Sequence, residues 1–96
     1  MTHMSYKALW EGHPSKTYII ERILLDDLLA RRLEALGMNE GTKVRILTKK
    51  RSGAMVIKLR GSRLALGRQI TSSIEVSEFI PENEQLNIDK EAEQNG

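Results

Sequence analysis

The sequence predicts a mainly β protein, a small five-stranded barrel with one short α-helix after its first strand. Three observations point there. Residues after Gly41 alternate, with Thr42, Val44, Ile46 and Thr48 on one parity and, beyond a turn, Met55, Ile57 and Leu59 on one parity. Leu29, Leu33 and Leu36 follow the i, i+4, i+7 spacing of a single helical face. Finally, 96 residues suffice for one hydrophobic core and not for two.

Residues 1–15 read as a lead-in, with Tyr6, Leu9 and Trp10 among polar neighbours and breaks at Gly12 and Pro14. Trp10 is expected to cover a margin of the core, the usual place of a lone tryptophan. The domain itself is expected over 16–77. The β-branched run Thr17, Ile19, Ile20 and Ile23, with Tyr18 inside it, makes the first strand. Asp26 then caps the helix, and Asp27 supports it from four residues before Arg31. Gly37 ends it, because the residue after a helix commonly takes a left-handed backbone that glycine adopts without steric cost.

The alternating strands after Gly41 form a hairpin turning through Lys49 to Gly53. Gly61 turns the chain into a further strand at Arg63 to Leu66, and Gly67 precedes a helical turn over Arg68 to Ser72. Ile74 and Val76 make a short closing strand, which completes the pairing of a small barrel. From residue 78 to 96 the chain loses periodicity and turns acidic, the composition of a disordered tail.

Charge is polarised along the chain. Through Val76 there are 14 Lys and Arg against 7 Asp and Glu, and from Ser77 onward 1 against 6. The basic body favours an acidic protein surface, anionic headgroups or nucleic acid as a partner. The acidic tail is expected to fold onto the basic hairpin and weaken docking there.

The sequence also narrows the chemistry. Without cysteine there is no disulfide, thiolate nucleophile or cysteine-bearing metal site, and no apolar run is long enough for a membrane span. The expectation is a soluble chain in a reducing cytoplasm. Neither phosphate-binding glycine pattern occurs. His3 and His13 both lie in the lead-in, without the neighbouring carboxylates of a metal site, so no metal or cofactor is expected. Nucleophilic catalysis needs a base near its hydroxyl, and the barrel region contains no histidine. No enzyme activity is therefore expected. Nucleic acid is disfavoured too, because Tyr18 is the sole aromatic between Thr17 and Val76 on which bases could stack.

Hairpin geometry instead predicts a cationic outer face with an apolar centre. Lys43, Arg45, Leu47, Val56 and Lys58 occupy the outward parity, and Lys49, Lys50 and Arg51 lie at the tip. The charges would speed encounter, and Leu47 with Val56 would supply the desolvated centre that affinity needs. Arg32 on the helix is a second candidate contact.

The series Arg31-Arg32-Leu33, Leu36-Gly37-Met38 and Gly41-Thr42-Lys43-Val44, followed by Arg60-Gly61-Ser62-Arg63-Leu64-Ala65-Leu66 and Ile74-x-Val76, resembles the ferrous iron transport protein A family, FeoA. The resemblance spans about Tyr18 to Val76. Gly67 and Thr71 depart from it, standing where the family usually carries arginine and a small alanine. The resemblance implies an SH3-like barrel working in iron homeostasis. Its implied partner is the membrane ferrous iron transporter, met at the inner face of the membrane through the transporter's cytoplasmic G-protein domain. The family's link to transition metal binding would then rest on the transporter, and any effect on GTP hydrolysis would be allosteric. Two other readings stand beside it. Iron-dependent transcriptional repressors end in a similar SH3-like domain, so the chain would bind such a repressor or nucleic acid. Self-association of the barrel is the third.

Overall fold

A computed structural model describes residues 6–80. The elements run β1 (Lys7–Ala8), a single 3-10 turn (Leu9–Glu11), β2 (Thr17–Ile23), α1 (Asp27–Ala35), β3 (Lys43–Lys49), β4 (Met55–Leu59), β5 (Ser62–Leu66), α2 (Arg68–Thr71) and β6 (Ile74–Glu78). The strands form one antiparallel sheet in the order β1-β6-β2-β3-β4-β5.

The architecture is mainly β, as expected, but the barrel is not. The sheet has six strands instead of five, and its outer strands β1 and β5 are not hydrogen-bonded to each other. The extra strand comes from the lead-in, where Lys7 and Ala8 pair with Val76 and Glu75. A two-residue strand satisfies only a few backbone groups. It also means that the helix follows the second strand of the chain, not the first.

One cluster gathers the inward side chains. Tyr18 and Ile20 of β2, Val44 and Ile46 of β3, Met55, Ile57 and Leu59 of β4, Leu66 of β5, and Ile74 and Val76 of β6 are all buried in it. Contributions from both halves of the sheet to a single cluster require the sheet to bend around it. Leu33 and Met38 close the cluster from the helical side, and Leu9 enters it from the 3-10 turn.

Helix α1 begins and ends where its residue types dictate. Asp26 Oδ1 accepts the Leu29 backbone N–H at 2.9 Å. At the other end Gly37, at φ +100°, donates to the Glu34 carbonyl, and Met38 donates to that of Leu33. These two bonds satisfy carbonyls that the last helical turn leaves open. The predicted stripe holds only in part. Leu33 is buried and Leu29 is half-buried, but Leu36 caps the helix end and stays 54% exposed.

Strand β3 also departs from strict alternation. Arg45 and Ile46 pair with Lys58 and Ile57, whereas Thr48 and Lys49 pair with Val56 and Met55, so a bulge lies at Leu47. The extra residue reverses the parity beyond it. Thr48, expected inward, is exposed opposite Val56, and Lys49 turns to the other side of the strand.

There Lys49 joins a small assembly that fastens the lead-in to the hairpin. Its Nζ donates to the Gly12 carbonyl at 3.2 Å and lies 5.0 Å from the Trp10 ring centroid. The Arg68 guanidinium covers the same ring at 4.1 Å. Buried Thr71 donates its hydroxyl toward the carbonyls of Gly53 and Arg68, each at 3.2 Å. The departure from alanine at this position thus gives a hydroxyl that ties α2 to the hairpin turn. Gly53 sits at φ +93°, and a Cβ there would collide with the aliphatic stem of Arg68. Gly53→Ala is therefore expected to cost about 1–3 kcal/mol in urea denaturation, through backbone strain and displacement of Arg68 from Trp10.

Candidate docking face

The β4–β5 turn sets the geometry of the outer face. Arg60 and Gly61 both have positive φ, as a two-residue hairpin turn requires, and the turn pairs Leu59 with Ser62 and Lys58 with Arg63. Because Lys58 also pairs with Arg45, three cations stand in line across β3, β4 and β5. All three are exposed.

No acid interrupts this half of the sheet. From Gly41 to Ile74 the chain has nine Lys or Arg and no Asp or Glu. Among the described residues the ion pairs are Lys7 with Glu78 and Arg22 with Glu75, and neither involves the row. Like charges directly opposite one another on adjacent strands destabilise a sheet. The row therefore carries an electrostatic cost in the free protein that an anionic partner relieves.

Most of the contacts predicted from sequence lie on or beside this row. Arg45 and Lys58 are members of it. Lys43 is exposed on the same strand as Arg45, with its Nζ 4.2 Å from the Phe79 ring centroid. Lys50 and Arg51 are exposed at the hairpin tip. Leu47 is half-buried at the bulge. Lys49 leaves the face for Trp10 and Gly12, because the bulge reverses its direction.

Of the expected apolar pair, Val56 stands beside the row and Leu47, at the bulge, does not line the same dimple. Thr48, Val56 and Ala65 stand opposite one another on three strands and, with Lys50, Ala54 and Met55, line a dimple of about 70 Å³. Arg32 projects from the exposed side of α1, in sequence midway between Leu28 and Leu36, which are 64% and 54% exposed. At i, i+4, i+8 these three share one side of the helix end.

Arg63 and the exposed leucines of α1 were not among the contacts predicted from sequence. Arg63 was readable in principle, since a two-residue turn at Arg60-Gly61 places it opposite Lys58. No cluster of three or more His, Cys, Asp or Glu side chains occurs among the described residues, and no helix there is long and apolar enough to cross a membrane.

Comparison with known proteins gives a family model, the FeoA domain, matching residues 7–78. No curated protein matches the chain. Among solved structures, the crystal structure of the iron uptake regulatory protein FeoA is 22% identical with a TM-score of 0.70, covering 79% of this chain and 100% of that one. A FeoA-like protein from Clostridium acetobutylicum, solved by NMR, is 21% identical with a TM-score of 0.70, covering 82% of this chain and 93% of its own. A manganese-dependent transcriptional repressor in complex with manganese aligns at 20% identity and a TM-score of 0.72, over 80% of this chain and only 38% of the repressor. These likenesses share the fold.

Proposed function

The chain belongs to the FeoA domain family, and from that premise we propose that it is an accessory adaptor of bacterial ferrous iron uptake, docking on the cytoplasmic G-protein domain of the membrane ferrous iron transporter. The family ties the chain to iron uptake and has an SH3-like fold. The observation that carries the docking reading is the row Arg45–Lys58–Arg63 on an acid-free half of the sheet. Carboxylates on the partner would pair with it, and an aliphatic side chain would enter the dimple at Val56. The adaptor would work in the cytoplasm, held at the inner face of the membrane by its partner, without catalysing a reaction itself.

Titration of isotopically labelled protein with the isolated G-domain tests this. The expected result is a set of amide shifts centred on Arg45, Val56, Lys58 and Arg63. No shift at high micromolar G-domain overturns the reading.

The likeness to the repressor supports a second reading, a module that binds such a repressor or nucleic acid. It predicts salt-dependent binding of DNA or RNA by the same row. Strands β3, β4 and β5 supply no aromatic side chain for base stacking, and the Phe79 ring beside them is already covered by Lys43, which favours the protein partner.

A further inference from the structure

Charge, chain length and the point where the described chain ends bear together on the cation row. Phe79 donates its backbone N–H to the Thr17 carbonyl at 3.2 Å, beyond the end of β6. Its ring lies under Lys43. A hollow of about 240 Å³ beside it is bounded by Lys16, Thr17, Arg45, Glu78, Phe79 and Ile80, so Glu78 is the one acid near the Arg45 end of the row and none stands beside Lys58 or Arg63. The last described residues therefore lie on the outer face, against the first member of the row.

The C-terminal segment beyond them is strongly anionic. Residues 81–96, outside the described residues, include Glu82, Glu84, Asp89, Glu91 and Glu93 against the single cation Lys90. From Arg45 to Arg63 the row crosses two strand spacings, roughly 10 Å. Sixteen residues reach up to roughly 50 Å when extended. The segment is thus long enough to lie along the whole row from the place where it starts. Tethering at that distance gives its carboxylates an effective concentration on the order of millimolar.

We propose that the row Arg45–Lys58–Arg63 is a carboxylate-binding surface whose occupant in the free protein is the chain's own acidic segment 82–93. The segment supplies the counter-charge that β3, β4 and β5 lack and must leave before an acidic partner docks. This rests on the docking reading only for its consequence, since the intramolecular contact exists whether or not the transporter is the partner. Partner affinity falls by the fraction of time the row is covered.

The test compares the full chain with a full-length variant carrying Glu82→Gln, Glu84→Gln, Asp89→Asn, Glu91→Gln and Glu93→Gln. In the absence of any partner, the amide signals of Arg45, Lys58 and Arg63 are expected to shift between the two. Raising salt to about 0.5 M should erase most of the difference, as screening removes attraction between exposed charges. A chain ending at Ile80 should match the neutralised variant, and a synthetic peptide of residues 81–96 added to it should restore the original shifts. The neutralised variant should bind the G-domain about 3–10-fold more tightly at low salt. Identical row signals in the full chain and the neutralised variant overturn the proposal, whatever the G-domain does. Row shifts in a protein that binds no G-domain would leave the intramolecular contact standing and remove the docking reading alone.

Discussion

Lys58→Glu is expected to make the free protein more stable and the complex weaker. Lys58 is flanked on neighbouring strands by Arg45 and Arg63 as direct cross-strand partners. A glutamate there replaces two like-charge contacts with two opposite-charge ones. Such cross-strand pairs are worth roughly 0.2–1 kcal/mol each. Exposure to solvent screens them, so the gain is on the order of 0.5–1 kcal/mol, or about 3–6 °C in Tm for a domain of this size. The gain should be largest in the background with neutralised acids at 82–93, where that segment no longer offsets the charge of the row.

The same substitution puts a negative charge at the centre of a surface meant for carboxylates. Affinity for the G-domain is expected to fall at least about 30-fold, roughly 2 kcal/mol, with Lys58→Gln falling between the two. Thermal unfolding and a binding titration on the same three proteins check both halves. A lowered Tm would show that the row is not repulsive in the free protein. Unchanged affinity would place the contact elsewhere, with the exposed Leu28, Arg32 and Leu36 of α1 the next surface to test.

The parts of this fold legible in sequence are those where a residue type has one physical use. Val44 and Ile46 against Ile57 and Leu59 alternate between charged neighbours, so only one face of the hairpin is inward, and the structure buries all four. Asp26 and Gly37 bound the helix for equally specific reasons, as acceptor and as left-handed residue. The illegible parts are those where several outcomes suit the same residues. Leu47-Thr48 fits either parity at the end of a strand, so nothing announced the bulge that removes Lys49 from the docking face. Leu36 keeps helical spacing with Leu33, but it comes after the last helical residue and escapes the stripe. Lys7–Ala8 is too short to show any period, and the pairing that makes it a strand is set by β6, almost seventy residues later.

The lead-in holds the largest stability effect, and Leu9→Ala is expected to reveal it. Leu9 lies in a 3-10 turn without a strand pattern, yet it is 0% exposed and belongs to the central cluster. The backbone after it is held equally close. A Cβ on Gly12 would stand 2.6 Å from Ile46 Cδ1 and 2.8 Å from Tyr18 Cε2. The Tyr18 hydroxyl in turn accepts the His13 backbone N–H at 2.8 Å. With its neighbours so fixed, the site cannot collapse into the space a shortened side chain leaves. Truncation of Leu9 should therefore cost about 2–5 kcal/mol, a large part of the roughly 5–15 kcal/mol typical of a whole domain. Leu28→Ala provides the contrast, since that leucine is 64% exposed and its loss should stay within about 0.5 kcal/mol. Urea denaturation of the two variants separates these outcomes. A chain starting at Lys16 should lose cooperative unfolding altogether, because it lacks Leu9, Trp10 and the β1 edge together. A Leu9→Ala cost below about 1 kcal/mol would instead mean that the segment only covers a core that is complete without it.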